Sequence, residues 1–294
     1  MILLIGGTGY IGVKFQEVLS DRELEFRNLS RKDFDYYNFN KLSQLLTWNP
    51  PKFVINVAGF TGKPNVDQCE VEKSGTIVGN VLLPQIIGQA CDMNDIPFVH
   101  ISSGCIYSGD KGKDANGDII GFTEEDEPNF TYDKPPCSFY SGSKAMGETI
   151  VSKFEKSYIC RLRIAFDEFD SKRNYLSKIQ RYDKVYDAVN SISHRREFVE
   201  ACIDLALNKC EYGIYNLTNG GYVTTKQVVE LMQEKLDLDK EFEYWANDSD
   251  FYSEGAATPR SNCVLDNSKI LNAGINMRHC MDAVEESLDN WVKE

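Results

Sequence analysis

The chain has 294 residues, about two domain-lengths, and can hide roughly 75% of the surface its unfolded form exposes, so it needs no disulfide or metal staple. Its 45 acidic and 32 basic residues leave a formal charge of −13, which argues against a nucleic-acid backbone as partner. No apolar run approaches the ~20 residues of a membrane span, and the opening Met1-Ile2-Leu3-Leu4 has neither the basic flank nor the cleavage site of a secretory signal, so the expectation is a cytoplasmic chain with no membrane partner. Ile2 to Ile5 is a continuous apolar run, as a strand covered on both faces should be. After a glycine-rich turn, Ile11, Phe15, Val18 and Leu19 recur at helical spacing. Glu25 to Leu29 is a second strand; Leu42, Leu45 and Leu46 mark a helix stopped by Asn49-Pro50-Pro51. Phe53 to Val57 is a third strand. Ile77, Val81 and Ile86 predict a longer helix kinked at Pro84, and Phe98 to Ile101 a fourth strand.

Residues 109–137 show no periodicity and read as a long functional loop. Helix returns from Phe139 to Phe154, followed by a fifth strand from Tyr158 to Ile164. Beyond Phe166 the pattern weakens into short helices near 174–183, 195–208 and 225–236, one strand from Gly213 to Asn216, and a last helix near Met281 to Val292. Alternating strands and helices imply a parallel sheet with right-handed crossovers. The nine cysteines form no CxxC pair and the three histidines stand far apart, so reduced thiols are expected, with no metal site.

Gly6-x-x-Gly9-x-x-Gly12 lies between the first strand and the first helix. Glycines there let the backbone turn and approach a pyrophosphate resting on the helix N-terminus. The spacing resembles that of the extended short-chain dehydrogenase/reductases. The expected fold class is therefore α/β, a Rossmann-type doubly wound parallel sheet with a smaller mixed α/β lobe. Residues 1–165 form the NADP-binding domain and 166–294 the substrate lobe, with some chain returning to the first domain. Candidate cofactor contacts are Gly6, Thr8, Gly9, Tyr10, Ile11 and Gly12 in the loop, with Ala58 and Gly59 after the third strand. Ser30 and Arg31 follow the second strand. A basic residue there accommodates a 2′-phosphate, which favours NADPH; Asp33 leaves NADH as the weaker alternative.

Tyr-x-x-x-Lys puts both side chains on one helix face, where the lysine lowers the phenol's pKa and the tyrosine protonates a carbonyl. The motif occurs three times, at Tyr37/Lys41, Tyr140/Lys144 and Tyr222/Lys226. Position selects Tyr140 and Lys144, on the helix after the fourth strand, with Ser103 at that strand's end. The other two pairs read as helix-surface coincidences. If strand geometry persists past Ser103, Cys105 points to the same side and sets a thiol beside the carbonyl.

Several segments resemble the plant-type UDP-4-keto-6-deoxyglucose 3,5-epimerase/4-reductases of UDP-rhamnose synthesis. They are residues 56–67, Ser103-Gly104-Cys105-Ile106, residues 122–130 and 139–146, Lys178-Ile179-Gln180-Arg181-Tyr182 and Pro259-Arg260-Ser261-Asn262. More distant likenesses are to dTDP-4-dehydrorhamnose reductase, which only reduces, and to GDP-fucose synthase, whose motif also has a cysteine two residues after the catalytic serine. The resemblance implies a nucleotide-diphosphate sugar substrate, with UDP and dTDP both open as carrier. It implies that Ser103 and Tyr140 hold and protonate the C4 oxygen, and that Lys144 tunes Tyr140 and binds the nicotinamide ribose. Cys105 and Lys178 would form the epimerase acid/base pair. Thr61, Asn65, Asn190 and Arg260 would contact substrate, Arg260 at the diphosphate. A homodimer and a functional link to an upstream 4,6-dehydratase are also implied. A 4,6-dehydratase is disfavoured because Gly104-Cys105 stands where that class has Asp-Glu. A pure reductase and a non-catalytic reductase-like regulator remain as alternatives.

Overall fold

The computed structural model describes residues 1–293. The first lobe runs β1 (Ile2–Ile5), α1 (Tyr10–Asp21), β2 (Phe26–Leu29), α2 (Phe39–Trp48), β3 (Val54–Asn56), α3 (Gln68–Val71), α4 (Lys73–Ile77), α5 (Leu83–Met93), β4 (Phe98–Ser103), α6 (Phe139–Val151) and β5 (Ser157–Leu162). The second lobe adds β6 (Ala165–Phe166), α7 (Tyr175–Arg181), β7 (Lys184–Val185), β8 (Val189–Asn190), β9 (Ser193–His194), α8 (Arg195–Leu207), β10 (Gly213–Asn216), β11 (Val223–Thr224), α9 (Thr225–Leu236) and β12 (Glu243–Tyr244), and a helix at Cys280–Asp289.

Six strands make one parallel sheet in the order β10-β5-β4-β3-β1-β2. Strand residues alternate between two cores. Ile2, Leu4, Ile55 and Val99 pack with Phe15, Val18 and Leu19 of α1 and Phe198, Val199 and Cys202 of α8. Leu3, Ile5, Val54 and Phe98 pack on the other face with Leu42 and Leu46 of α2 and Leu83, Ile87 and Ala90 of α5. Burying each such side chain is worth about 1.5–3 kcal/mol, which explains strands apolar at every position. The strand order reverses at the β1/β3 boundary, so a crevice opens at the carboxyl ends of these strands.

The long helix predicted around Pro84 is interrupted differently. Val78–Leu82 is a π-helical turn between α4 and α5, and Pro84, which has no N–H to donate, is the second residue of α5. Neither Tyr37 nor Tyr222 is helical: Tyr37 precedes α2, and Tyr222 precedes β11. Residues 109–137 are stitched to the segment around Cys263 by single parallel bridges, Gly109 to Cys263 and Phe122 to Leu265, which leave no periodic trace. The second lobe has its own core of Phe166, Leu176, Ile179, Val228, Met232, Val284 and Leu288. No helix among the described residues is long and apolar enough to cross a membrane.

Candidate active site

The glycine loop between β1 and α1 is a cradle that side chains would fill. Gly6 has φ +90, and a Cβ there would run into the backbone N–H of Ala58; a Cβ on Gly12 would overlap the Gly6 carbonyl. Gly9 stands at the N-cap of α1 without any side-chain cap, so the first amides of that helix point into open space. Thr8 and Gly9 are exposed, Ile11 packs on the core, and Gly59 is exposed beside Ala58. Across the loop, Asn28 Oδ1 is a buried acceptor with no partner. Past β2, Ser30 Oγ donates to Asp33 Oδ2 at 2.5 Å, and Arg31 is exposed. Bare amides, absent side chains and an orphaned acceptor fit a dinucleotide.

Tyr10 turns toward the second lobe. Its hydroxyl donates to Asp167 Oδ1 at 3.4 Å, and the Arg195 guanidinium lies 4.3 Å over its ring. Burial, and then Asp167, push its hydroxyl well above the ordinary tyrosine range. Asp167 is fully buried, pairs with Arg195 at 2.9 Å, and accepts from Asn174, the N-cap of α7, at 3.1 Å.

β4 delivers Ser103 to the crevice, and α6 faces it with Tyr140 and Lys144 one turn apart. Ser138 caps α6 by accepting the Ser141 N–H at 3.1 Å, while Glu70 accepts the Phe139 N–H at 2.6 Å. The π turn supplies Asn80, whose amide bonds both Phe60 backbone groups and donates to Ser143 Oγ at 3.0 Å. Behind the site, Glu148 accepts from Arg161 at 2.6 Å and from Ser102 at 2.6 Å, a buried pair with its polar atoms satisfied. Lys144 is buried and donates to the Ile101 carbonyl at 2.8 Å; burial lowers its pKa to about 8. Tyr140 is partly buried. Burial, then the Cys105 sulfur, push its phenol above the ordinary range, and the Ser103 hydroxyl pulls it back.

Strand geometry does not persist past Ser103. Gly104–Ile106 is a 3₁₀ turn, capped by Ser103 Oγ accepting the Cys105 N–H at 3.2 Å. Cys105 still enters the crevice, but its near cation is Arg163 rather than Lys178: Arg163 Nη1 lies 3.0 Å from Cys105 Sγ. Asn190 Oδ1 accepts from Arg163 at 2.5 Å and from the Cys263 N–H at 3.1 Å, and its Nδ2 donates to Asn262, so its amide is engaged within the protein.

Lys178 is partly buried on α7, and burial, with Arg173 and Arg260 nearby, lowers its pKa. Arg173 donates to the Gly62 carbonyl at 2.8 Å and to Thr61 Oγ1 at 3.4 Å. Asn65 accepts the Asp67 N–H at 2.9 Å. Arg260 is clamped by both oxygens of Asp67, at 2.6 and 2.7 Å. Burial works against the Asp67 carboxylate, but the bonds from Arg260 and Thr258 hold it below its ordinary range. Among the described residues, no carboxylate is paired with Lys178 or Arg173. The structure thus brings Ser103, Cys105, Tyr140 and Lys144 together, and gathers Thr61, Arg173, Lys178 and Arg260 into a cationic wall. Sequence reasoning missed Arg163 and Arg173. The available signal for Arg163 was an arginine ending an apolar strand, where a charge requires partners.

The chain matches the RmlD substrate binding domain over residues 1–292. It is 35% identical, over 83% of its length and 77% of the relative's, to the bifunctional dTDP-4-dehydrorhamnose 3,5-epimerase/dTDP-4-dehydrorhamnose reductase of Arabidopsis thaliana. It is also 35% identical, over 83% of its length, to a trifunctional UDP-glucose 4,6-dehydratase/UDP-4-keto-6-deoxy-D-glucose 3,5-epimerase/UDP-4-keto-L-rhamnose-reductase of the same plant, and spans 35% of that relative. Among solved structures, the L780 UDP-rhamnose synthase from Acanthamoeba polyphaga mimivirus shares the fold at a TM-score of 0.88, with 22% identity and 99% of each chain covered. The chain belongs to the RmlD substrate-binding family.

Proposed function

We propose that the chain is a bifunctional 3,5-epimerase/4-reductase that converts UDP-4-keto-6-deoxy-D-glucose to UDP-L-rhamnose with NADPH. The observation that carries this reading is Cys105, a sulfur in the same crevice as the Ser103, Tyr140 and Lys144 clamp. The likeness to the plant bifunctional enzyme supports it. Gly6, Thr8, Gly9, Tyr10, Ile11 and Gly12 would hold the cofactor, with Ser30, Arg31, Ala58 and Gly59 along the adenosine half and Lys144 on the nicotinamide ribose. When bound, NADPH supplies the hydride that reduces C4.

The chain's own residues do the rest. Ser103 and Tyr140 hold the C4 oxygen, and the ketone acidifies the protons on C3 and C5. Cys105 takes a proton from one face and Lys178 returns one from the other. Tyr140 then gives its proton to the C4 oxygen, while the charged Lys144 supports the phenolate left behind. Arg173 and Arg260, the latter held in place by Asp67, face a diphosphate beside Thr61 and Asn65; Asn190 acts through Arg163. The stacked rings of Tyr186 and Phe251, 4.2 Å apart and followed by Tyr252 whose hydroxyl reaches the Arg260 carbonyl, suit a pyrimidine base. The reading also carries a cytoplasmic homodimer supplied by a 4,6-dehydratase.

The test is to incubate the chain with UDP-4-keto-6-deoxyglucose and NADPH in heavy water and identify the product. UDP-L-rhamnose labelled with deuterium at C3 and C5 is expected. An unlabelled 6-deoxy sugar with its original configuration would reduce the assignment to a reductase.

A further inference from the structure

Two arginines flank the end of β5, and among the described residues only one has a carboxylate partner. Arg161 is matched by Glu148. Arg163, which follows the strand and is 3% exposed, has no carboxylate partner among the described residues. Burying a guanidinium without a counter-charge is expensive. Its contacts are the Asn190 amide oxygen, the Ser261 carbonyl and the Cys105 sulfur at 3.0 Å, and its Nε is buried with no partner at all. Two of these acceptors are neutral and cannot ionise. A second sulfur, Cys263, is near, but burial pushes its thiol upward and keeps it neutral. The Tyr140 and Tyr175 phenols also face the guanidinium, and burial pushes both upward, so Cys105, in direct contact, is left to supply the missing negative charge.

We propose that Arg163 is the positioning residue that makes Cys105 the proton-abstracting member of the epimerase pair, holding its sulfur as a thiolate. This rests on the reading of Cys105 as an epimerase residue. Asn190 and Ser261 fix the guanidinium, so the sulfur is both charged and aimed. A charged N–H donor makes a stronger bond to an ionised sulfur than to a thiol. In the reaction the thiolate takes the proton from carbon, and the C–H electron pair passes into the C4 ketone as an enolate. The Lys178 ammonium returns a proton to the opposite face. Cys105 ends as a thiol and Lys178 as an amine, and both reset by proton exchange with water. Arg163 keeps its charge throughout.

The experiment is alkylation of Cys105 by iodoacetamide, read by mass spectrometry of its peptide across a pH series in the full chain. At about pH 6 the wild-type rate should exceed that of Arg163→Gln by about tenfold or more, with the variant's profile moved to higher pH. Arg163→Lys should recover much of the difference, which a merely structural loss would not allow. Asn190→Ala, which keeps the guanidinium but frees it, should give an intermediate profile and serves if Arg163→Gln does not fold. Superimposable profiles for wild type and the folded variants overturn the proposal. A shifted profile combined with no deuterium in the wild-type product leaves the pairing standing and overturns the epimerase reading instead.

Discussion

Burial holds Lys144 down to about 8, although its ammonium keeps one bond to the Ile101 carbonyl. In the unfolded chain a lysine titrates near ~10.4. Between those two values the unfolded chain binds more protons, so stability should rise with pH across that window. Below about 8 both states carry the proton, and the cost of burying the charge is present in full. The proposed reduction should have the opposite dependence, because in that reading the charged ammonium supports Tyr140. Its kcat/KM should fall as pH rises through about 8, and Lys144→Met should lower the rate and flatten that limb. Tyr140→Phe should cut reduction by roughly 100-fold or more, the usual contribution of a general acid. Tyr37→Phe and Tyr222→Phe, outside any helix, should leave turnover nearly intact; steady-state kinetics on the three variants distinguishes them.

At the scale of elements, the π turn sets where α6 lies. Gly147 of α6 passes so close to the turn that a Cβ would collide with the Asn80 carbonyl. Gly147→Ala should therefore push α6 off the turn, despite alanine's better helix propensity. We expect a loss of about 1–3 kcal/mol in thermal unfolding and a fall in kcat, since Tyr140 and Lys144 ride on the same helix. The sheet and most helices were legible in the sequence because burial on both faces leaves unbroken apolar strands. The π turn was not legible: Ile77, Val81 and Ile86 read as one helix kinked at Pro84. The side of Cys105 was not legible, because the chain leaves strand geometry at Gly104. Arg163 was invisible as a partner because its contacts come from residues 105, 190 and 261, far apart in the chain. Lys178 could be tied to the site only by family resemblance, since nothing local separates it from a solvated helix charge.

For the whole molecule, Asp167 is one of the carboxylates that join the lobes. Asp167 touches Tyr10 of the glycine loop, Arg195 at the start of α8, and Asn174, which caps the helix carrying Lys178. Asp167→Ala leaves Arg195 buried without its counter-charge, and breaking such a pair costs about 3–5 kcal/mol. A drop of that size in unfolding free energy should be accompanied by weaker cofactor binding, measured by fluorescence titration, since Tyr10 loses its anchor. An unchanged affinity in a folded variant would confine Asp167 to stability.

The return of the chain to the sheet bears on how the protein could be cut apart or built. β10 pairs with β5 only after the polypeptide has left the sheet and traversed much of the second lobe, and α8, from that same excursion, supplies Phe198, Val199 and Cys202 to the core beneath α1. A fragment ending near residue 165 would bare the open edge of β5 and strip the apolar wall from Phe15, Val18 and Leu19. Such an edge is a template for pairing with other chains. On a ribosome, the first lobe must wait for downstream sequence before its sheet is sealed. The two lobes are accordingly not separable modules, and exchanging the second lobe between relatives would require leaving β10 and α8 with their native sheet.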